Sequence, residues 1–202
     1  NEKVGGLDVD WNYRPQRSVA DAAAVQTMHR AGLVTYGREA AKVPIIDLRA
    51  TSNTADIHTD YHSYSLRERL EKANGHADNQ IIWTWANPTG LLGIGAPPAI
   101  ANESFLLIDR WLAAVEADSS SAPLEVKIVR NKPQDAVSAC WLDSQGTGPK
   151  VTDPSVCRAA FPYYANPRIA AGEPFTNDVL KCQLKPLDPF DPDYRMLAVP
   201  FT

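Results

Sequence analysis

The sequence VPIIDL at residues 43–48 is followed, after a charged segment, by QIIWTW at residues 80–85. Each is a short apolar run, which is typical of a strand buried on both faces rather than half exposed. Between them, residues 63–73 carry apolar positions at helical spacing, and Asn74-Gly75 is a common helix stop. Together with a helix predicted further upstream, the alternation favours an α/β fold with a parallel sheet and crossover helices.

Further helices are predicted on both sides of these two strands. The upstream one spans about residues 18–31 and opens with a capping box at Ser18-Val19-Ala20-Asp21. A longer one runs from Glu103 to about Asp118, with Asn102 as its cap. Its predicted apolar stripe consists of Phe105, Ile108, Leu112 and Val115. Pro133-Gln134-Asp135 then predicts a short helix leading into Cys140 and Trp141.

The composition is that of a globular chain. Its 202 residues are 44% hydrophobic and 22% charged, which is enough to bury a core. The net charge is −4 and no run of Lys and Arg occurs, so we expect no nucleic-acid partner. No apolar stretch reaches the roughly 18 residues that a membrane span needs. The 16 prolines crowd the second half, which predicts a loop-rich region there.

Acidic and imidazole side chains gather after the first predicted strand. Asp47 lies within that strand, and Arg49, Asp56, His58, Asp60 and His62 follow. In parallel sheets catalytic groups gather at the carboxyl ends of strands, where a carboxylate can orient a histidine that acts as a general base. The candidate catalytic residues are therefore Asp47, Asp56, His58 and His62. A surface loop held by salt bridges and turns is the alternative interpretation.

Three residues are candidate contacts to a substrate. Arg49 follows the first predicted strand, and Trp83 and Trp85 alternate along the second. The two tryptophans could line a cleft or pack in the core, and their spacing allows both roles.

The motifs for metals, nucleotides and a serine nucleophile are absent from the sequence. His58 and His62 are four residues apart but match no H-E-x-x-H motif. Asp8, Asp10 and Asn12 offer oxygens at alternate positions, as a calcium loop does, although a turn held by side-chain hydrogen bonds explains them as well. We expect no metal and no cofactor, with calcium there as a weak candidate. Because no G-x-S-x-G motif occurs, the serine of a serine hydrolase would lie outside this chain.

Two of the three cysteines are predicted to form a disulfide. Cys140 and Cys157 flank a turn-rich stretch at residues 143–149, which can fold back and bring them together. Cys182 would then have its partner beyond this chain or none. A disulfide implies an oxidising compartment, so we expect a secreted or periplasmic protein. Three reduced thiols are the alternative interpretation.

Several segments together carry a resemblance to a known family. They are GLDVD at 6–10, PQR at 15–17, VPIIDLR at 43–49, DIH at 56–58, HSYSLRERL at 62–70, NG at 74–75, DNQ at 78–80, DRWL at 109–112, ACW at 139–141 and NDVLKCQLKPL at 177–187. Over nearly its whole length, the chain resembles the C-terminal part of a family of large secreted bacterial proteins with α/β-hydrolase character. That family is loosely similar to tannase-like and polyhydroxybutyrate-oligomer esterases.

The resemblance implies both an architecture and an activity. Residues 1–118 would be the last strands and helices of an α/β-hydrolase-like core with a mostly parallel sheet, and residues 119–202 a loop-rich, disulfide-linked tail that packs on it. The activity implied is hydrolysis of an ester, or of an amide, on a small or oligomeric substrate. A second chain or a segment of the same precursor would complete the fold and supply the serine.

Two roles for the chain follow from the resemblance. In the enzyme, Asp56 or Asp47 would orient His58 as the general base. One departure bears on this assignment, because the hydrolase order places the catalytic histidine after the last strand and no histidine follows Trp85. The role therefore falls to His58 or His62, or to a histidine elsewhere. The alternative is a non-catalytic secreted subunit for binding or assembly that retains the fold.

Overall fold

Three parallel strands form the sheet on which the helices pack. In this computed structural model, residues 20–51, 60–87, 95–162, 169 and 172–180 are described. The strands are β1 (Ile45–Thr51), β2 (Gln80–Ala86) and β3 (Ala139–Trp141). The helices are α1 (Ala22–Arg30), α2 (Gly37–Ala40), α3 (Tyr61–Asn74), α4 (Pro98–Ala117), α5 (Leu124–Arg130) and α6 (Pro154–Ala160). The chain therefore has the predicted α/β character.

The strand order is β1-β2-β3, with β2 in the centre. β1 pairs with β2 in parallel, with Asp47 opposite Ile82 and Arg49 opposite Thr84. α3 lies between these strands in the chain and ends at Gly75, which adopts φ 81°. The predicted crossover and its glycine stop are thus confirmed. β2 is buried along nearly its whole length, whereas every residue of β1 is half-buried, so the prediction of full burial is wrong for β1. Among the described strands, β1 pairs with β2 alone, whereas β2 has a neighbour on each side.

One face of the sheet is apolar and carries the core. Trp83 and Trp85 of β2 point to this face, since residues two apart along a strand share a face. Trp141 of β3 belongs to the same core cluster. They pack against Leu107 and Trp111 of α4. The Trp111 indole donates to the Ile128 carbonyl at 2.9 Å, which fixes α5 against α4.

The opposite face of the sheet is polar and lies under α3 and α6. Arg49 of β1 donates through Nε to the Ser63 hydroxyl of α3. The Gln80 side chain donates to the Ser63 carbonyl at 3.2 Å. Cys140 of β3 is bonded to Cys157 of α6 on the same side. The two faces therefore differ in chemistry as well as in the helices that cover them.

α4 is longer than predicted and buries a different stripe. It begins at Pro98 with Pro97 as its cap residue, so Asn102 lies inside the helix and does not cap it. Proline suits the first helical turn, whose N–H groups have no intrahelical acceptor. Phe105 and Leu112 are exposed, contrary to the prediction. The buried stripe consists of Ile100, Ser104, Leu107, Trp111 and Val115.

Two smaller predictions are also corrected. Residues 133–138 contain no helix, and the chain enters β3 at Ala139. The cap of α1 is Asp21, whose Oδ1 accepts from the Ala23 and Ala24 amides at 2.9 and 3.0 Å. Ser18, the predicted cap, lies outside the described residues.

Residues Val34–Asp178 form one compact unit, which contains the whole sheet. The described residues 20–33 and 179–180 belong to a second unit. The predicted division at residue 118 stays a prediction. Within the described residues, no helix is long and apolar enough to cross a membrane.

Candidate functional site

The carboxyl ends of β1 and β2 meet at one edge of the sheet. β1 ends at Thr51 and β2 at Ala86, and the next amide, that of Asn87, donates to the Thr51 carbonyl at 2.7 Å. The chain that follows β1 carries Asp56 and His58, and both lie outside the described residues. Their predicted roles therefore stay predictions. The edge from which this chain departs is the one where parallel sheets usually hold their ligands.

Asp47 and Arg49 share the polar face of β1 because they are two residues apart. Arg49 Nε lies 2.9 Å from Asp47 Oδ1 and also donates to Ser63. Both side chains are largely buried, with 14% of Asp47 and 28% of Arg49 exposed. Asp47 forms no ion pair with His62, its only candidate base within the described residues. The Asp47 carboxylate is thus held by a guanidinium.

His62 lies in the first turn of α3 and is exposed. Its ring lies against that of Tyr61, with centroids 4.1 Å apart. Partial burial lowers the pKa of His62, and the nearby charges of Arg49 and Arg69 lower it further. Its imidazole therefore stays neutral to lower pH than an ordinary histidine, which is the protonation state of a general base.

Trp83 and Trp85 lie in the core, with 0% and 2% of their surfaces exposed. The Trp83 indole donates to the Val137 carbonyl at 2.9 Å and meets the Trp141 ring edge-on at 5.3 Å. The Lys150 ammonium lies 4.0 Å from the Trp83 ring centroid. The structure therefore gives these tryptophans the packing role that their spacing also allowed.

The disulfide is present as predicted. Cys140 and Cys157 are joined, with Cα atoms 5.7 Å apart. The bond connects β3 to α6 and closes a loop with a sequence separation of 17. Cys182 and the calcium candidates Asp8, Asp10 and Asn12 lie outside the described residues. Among the residues that are described, no three His, Cys, Asp or Glu side chains form a metal-binding group.

A cavity on the α3 side of the sheet was not predicted from the sequence; it is called the polar cavity here for its charged and hydroxyl side chains, although Ile82 and Pro154 also line it. It has a volume of about 130 Å³, and Arg67, Thr84, Ser138 and Arg158 are among its lining residues. A partial signal was present, because Thr84 alternates with the two core tryptophans and so had to face the other way. Arg67 and Ser138 are 71 residues apart, and no sequence spacing brings them together.

A second missed feature is an apolar groove beside β1. Its volume is about 470 Å³, and it lies between β1 and the N-terminal half of α4. Ile46 and Leu48 line one side, and Phe105, which is 69% exposed, and Ile108 line the other. α4 is apolar on this side as well as towards the core. The helical spacing of its apolar residues therefore predicted Phe105 as part of the buried stripe.

These features define an α/β protein with a parallel sheet. Most of its candidate catalytic residues come directly after β1 in the sequence. The chain belongs to a tannase-like family of unknown function (DUF6351), whose model matches residues 1–202. The resemblance to tannase-like proteins is thereby confirmed. Comparison with curated proteins found no match. Comparison with solved structures found none either.

Proposed function

We propose that the chain carries the acid and base residues of a serine-type ester hydrolase. Membership of a tannase-like family is the observation that carries this proposal, because it suggests activity of the esterase or hydrolase type. The parallel pairing of β1 and β2 supports it, since catalytic groups of such sheets follow the carboxyl ends of the strands. The serine nucleophile and its oxyanion hole would lie on a segment outside this chain, because this chain has no nucleophile motif.

In this proposal His58 is the general base and Asp56 orients it. Asp47 is the weaker candidate for the orienting acid, because its carboxylate is already paired with Arg49. His62 is the second candidate base, and its lowered pKa keeps the imidazole ready to accept a proton. The base would take the proton of the serine hydroxyl during attack on the ester carbonyl. It would then return the proton to the leaving alcohol.

Three further expectations belong to the same proposal. The substrate is an ester, small or oligomeric, and Arg49 is its candidate contact near the β1 end. The disulfide supports a secreted or periplasmic location. The groove beside β1 supports a further segment that completes the fold, because parallel strands are usually covered on both faces.

A fluorophosphonate probe tests the proposal on the native protein, because it labels only an activated serine. Labelling is expected, and it should be lost on heat denaturation and in the His58→Ala variant. His76→Ala is the matched control, since His76 lies in the turn before β2 and contacts Asp78. A native protein that takes no label would contradict the proposal. It would favour a subunit for binding or assembly instead.

A further inference from the structure

The polar cavity lies under α3 and α6, on the side of the sheet that carries the disulfide. Its lining includes Thr84 of β2 and Ala139 at the start of β3. Both residues are buried, with 6% and 4% of their surfaces exposed. Arg67 and Ser138 line it, and the exposed Arg158 lies at its rim. Of the candidate catalytic residues that the structure describes, neither Asp47 nor His62 is among its lining residues.

Arg67 brings a positive charge to this cavity and makes no ion pair with a carboxylate of the described residues. Its Nη2 donates to the Gln80 carbonyl at 3.3 Å and to the Ser138 hydroxyl at 3.2 Å. Arginine has five N–H donors. Those on Nε and Nη1 of Arg67 have no acceptor among the described residues. An anion in the cavity would be attracted by the Arg67 charge and could accept from these donors.

Two hydroxyl groups on the cavity wall also lack acceptors. Ser138 Oγ already accepts from Arg67 and from the Ile82 amide at 3.1 Å, so its own proton is available to donate. Thr84 is more than nine-tenths buried, and its hydroxyl makes no hydrogen bond within the described part of the chain. Both hydroxyls can therefore donate a proton to a molecule in the cavity.

The cavity lining indicates the charge and the size of a ligand that would fit. No Asp or Glu is among the described lining residues, and the exposed Arg158 lies 5.3 Å from the Tyr64 ring. The volume of about 130 Å³ equals roughly four water molecules at about 30 Å³ each. It is well below the roughly 300–1,000 Å³ of pockets that enclose drug-sized ligands.

We propose that this cavity is a binding site for a small oxyanion of the size of acetate or phosphate. Arg67 neutralises its charge, and the Ser138 and Thr84 hydroxyls donate to its oxygens. The site does not depend on the proposed hydrolase activity. An anion could bind here in a protein that hydrolyses nothing, and an esterase could act with the cavity empty.

Isothermal titration calorimetry with sodium acetate and with inorganic phosphate, at an ionic strength held constant with sodium chloride, tests the site. We expect saturable binding of at least one anion with a stoichiometry of one, and the comparison decides between a planar and a tetrahedral ligand. Binding of neither anion above the chloride background would overturn the proposal.

Two variants locate the binding. Arg67→Gln and Thr84→Val should each lower the affinity about tenfold, which corresponds to the loss of one hydrogen bond to a charged group. Arg110→Gln is the control, because it removes an equal charge from an exposed residue paired with Asp135. Thr84→Val keeps the side-chain shape and removes a hydroxyl with no described partner, so folding stability should not fall. Wild-type affinity in both variants would overturn the proposal.

Discussion

The Arg49 guanidinium lies 2.9 Å from the Asp47 carboxylate, on the polar face of β1. The same nitrogen, Nε, donates to the Ser63 hydroxyl and so connects β1 to α3. Asp47 therefore helps to fix the strand against the helix. This relationship gives Asp47 a structural task and leaves Asp56 as the stronger candidate for the orienting acid of the proposed site.

Asp47→Asn should lower the free energy of unfolding by about 1–2 kcal/mol, because it leaves Arg49 partly buried without its counter-ion. Its effect on ester hydrolysis should be much smaller than that of Asp56→Asn. Urea unfolding and kcat/KM, measured for both variants, check this. An Asp47→Asn protein of unchanged stability that has lost its activity would show that Asp47 is the orienting acid.

His58→Ala should lower kcat/KM for an ester by about 10³-fold or more, as the loss of a triad member does. The same change at His62 should cost less, because His62 is assigned only as the second candidate. His76→Ala is the control for loss of an imidazole outside the proposed site. If turnover survives in both His58→Ala and His62→Ala, the general base lies elsewhere in the protein.

His62 should also make folding stability depend on pH. Its pKa is lowered in the folded protein by burial and by Arg49 and Arg69, while the unfolded chain keeps a value near 6.5. Between the two values the unfolded state binds more protons, so stability falls as the pH drops below about 6.5. In His62→Gln this part of the pH dependence should disappear. Unfolding midpoints measured from pH 5 to pH 8 in both proteins would reveal it, and identical profiles would contradict it.

The sequence was sufficient for the central pair of strands. The runs at residues 43–48 and 80–85, separated by one helical segment, leave little choice except a parallel pair with a crossover. β3 was missed because three residues carry no periodicity of their own. Its position depends on pairing with β2, and the paired residues Trp83 and Ala139 are 56 residues apart along the chain.

α4 shows why a correct helix can be assigned the wrong buried face. Ile100, Leu107 and Trp111 form one apolar row, and Phe105 and Leu112 form another. Both rows have helical spacing, so the pattern predicts the helix but not which row the sheet covers. The polar cavity is less predictable still, because its arginine and serine come from distant elements. The disulfide was predictable because its loop is local and rich in turn residues.

Gly37 in α2 should tolerate no side chain. A Cβ placed there would overlap the Arg69 carbonyl and the Leu70 amide of α3, so α2 and α3 would have to separate. Gly37→Ala should lower the free energy of unfolding by about 1–3 kcal/mol, as overpacking does. Gly95→Ala is the matched control, since no atom lies within 4 Å of the position of its Cβ. Equal stability of the two variants in urea would contradict this close approach.

The Cys140–Cys157 disulfide should contribute about 3 kcal/mol to stability, because it closes a loop with a sequence separation of 17 and so restricts the unfolded chain. It also holds α6, which carries Arg158 at the rim of the polar cavity, against β3. Reduction should therefore lower both the urea midpoint and the affinity for the oxyanion. Cys157→Ser should lose the same stability and then show no further response to the reductant. If the wild-type protein responds no more than this variant does, the bond contributes nothing to the fold.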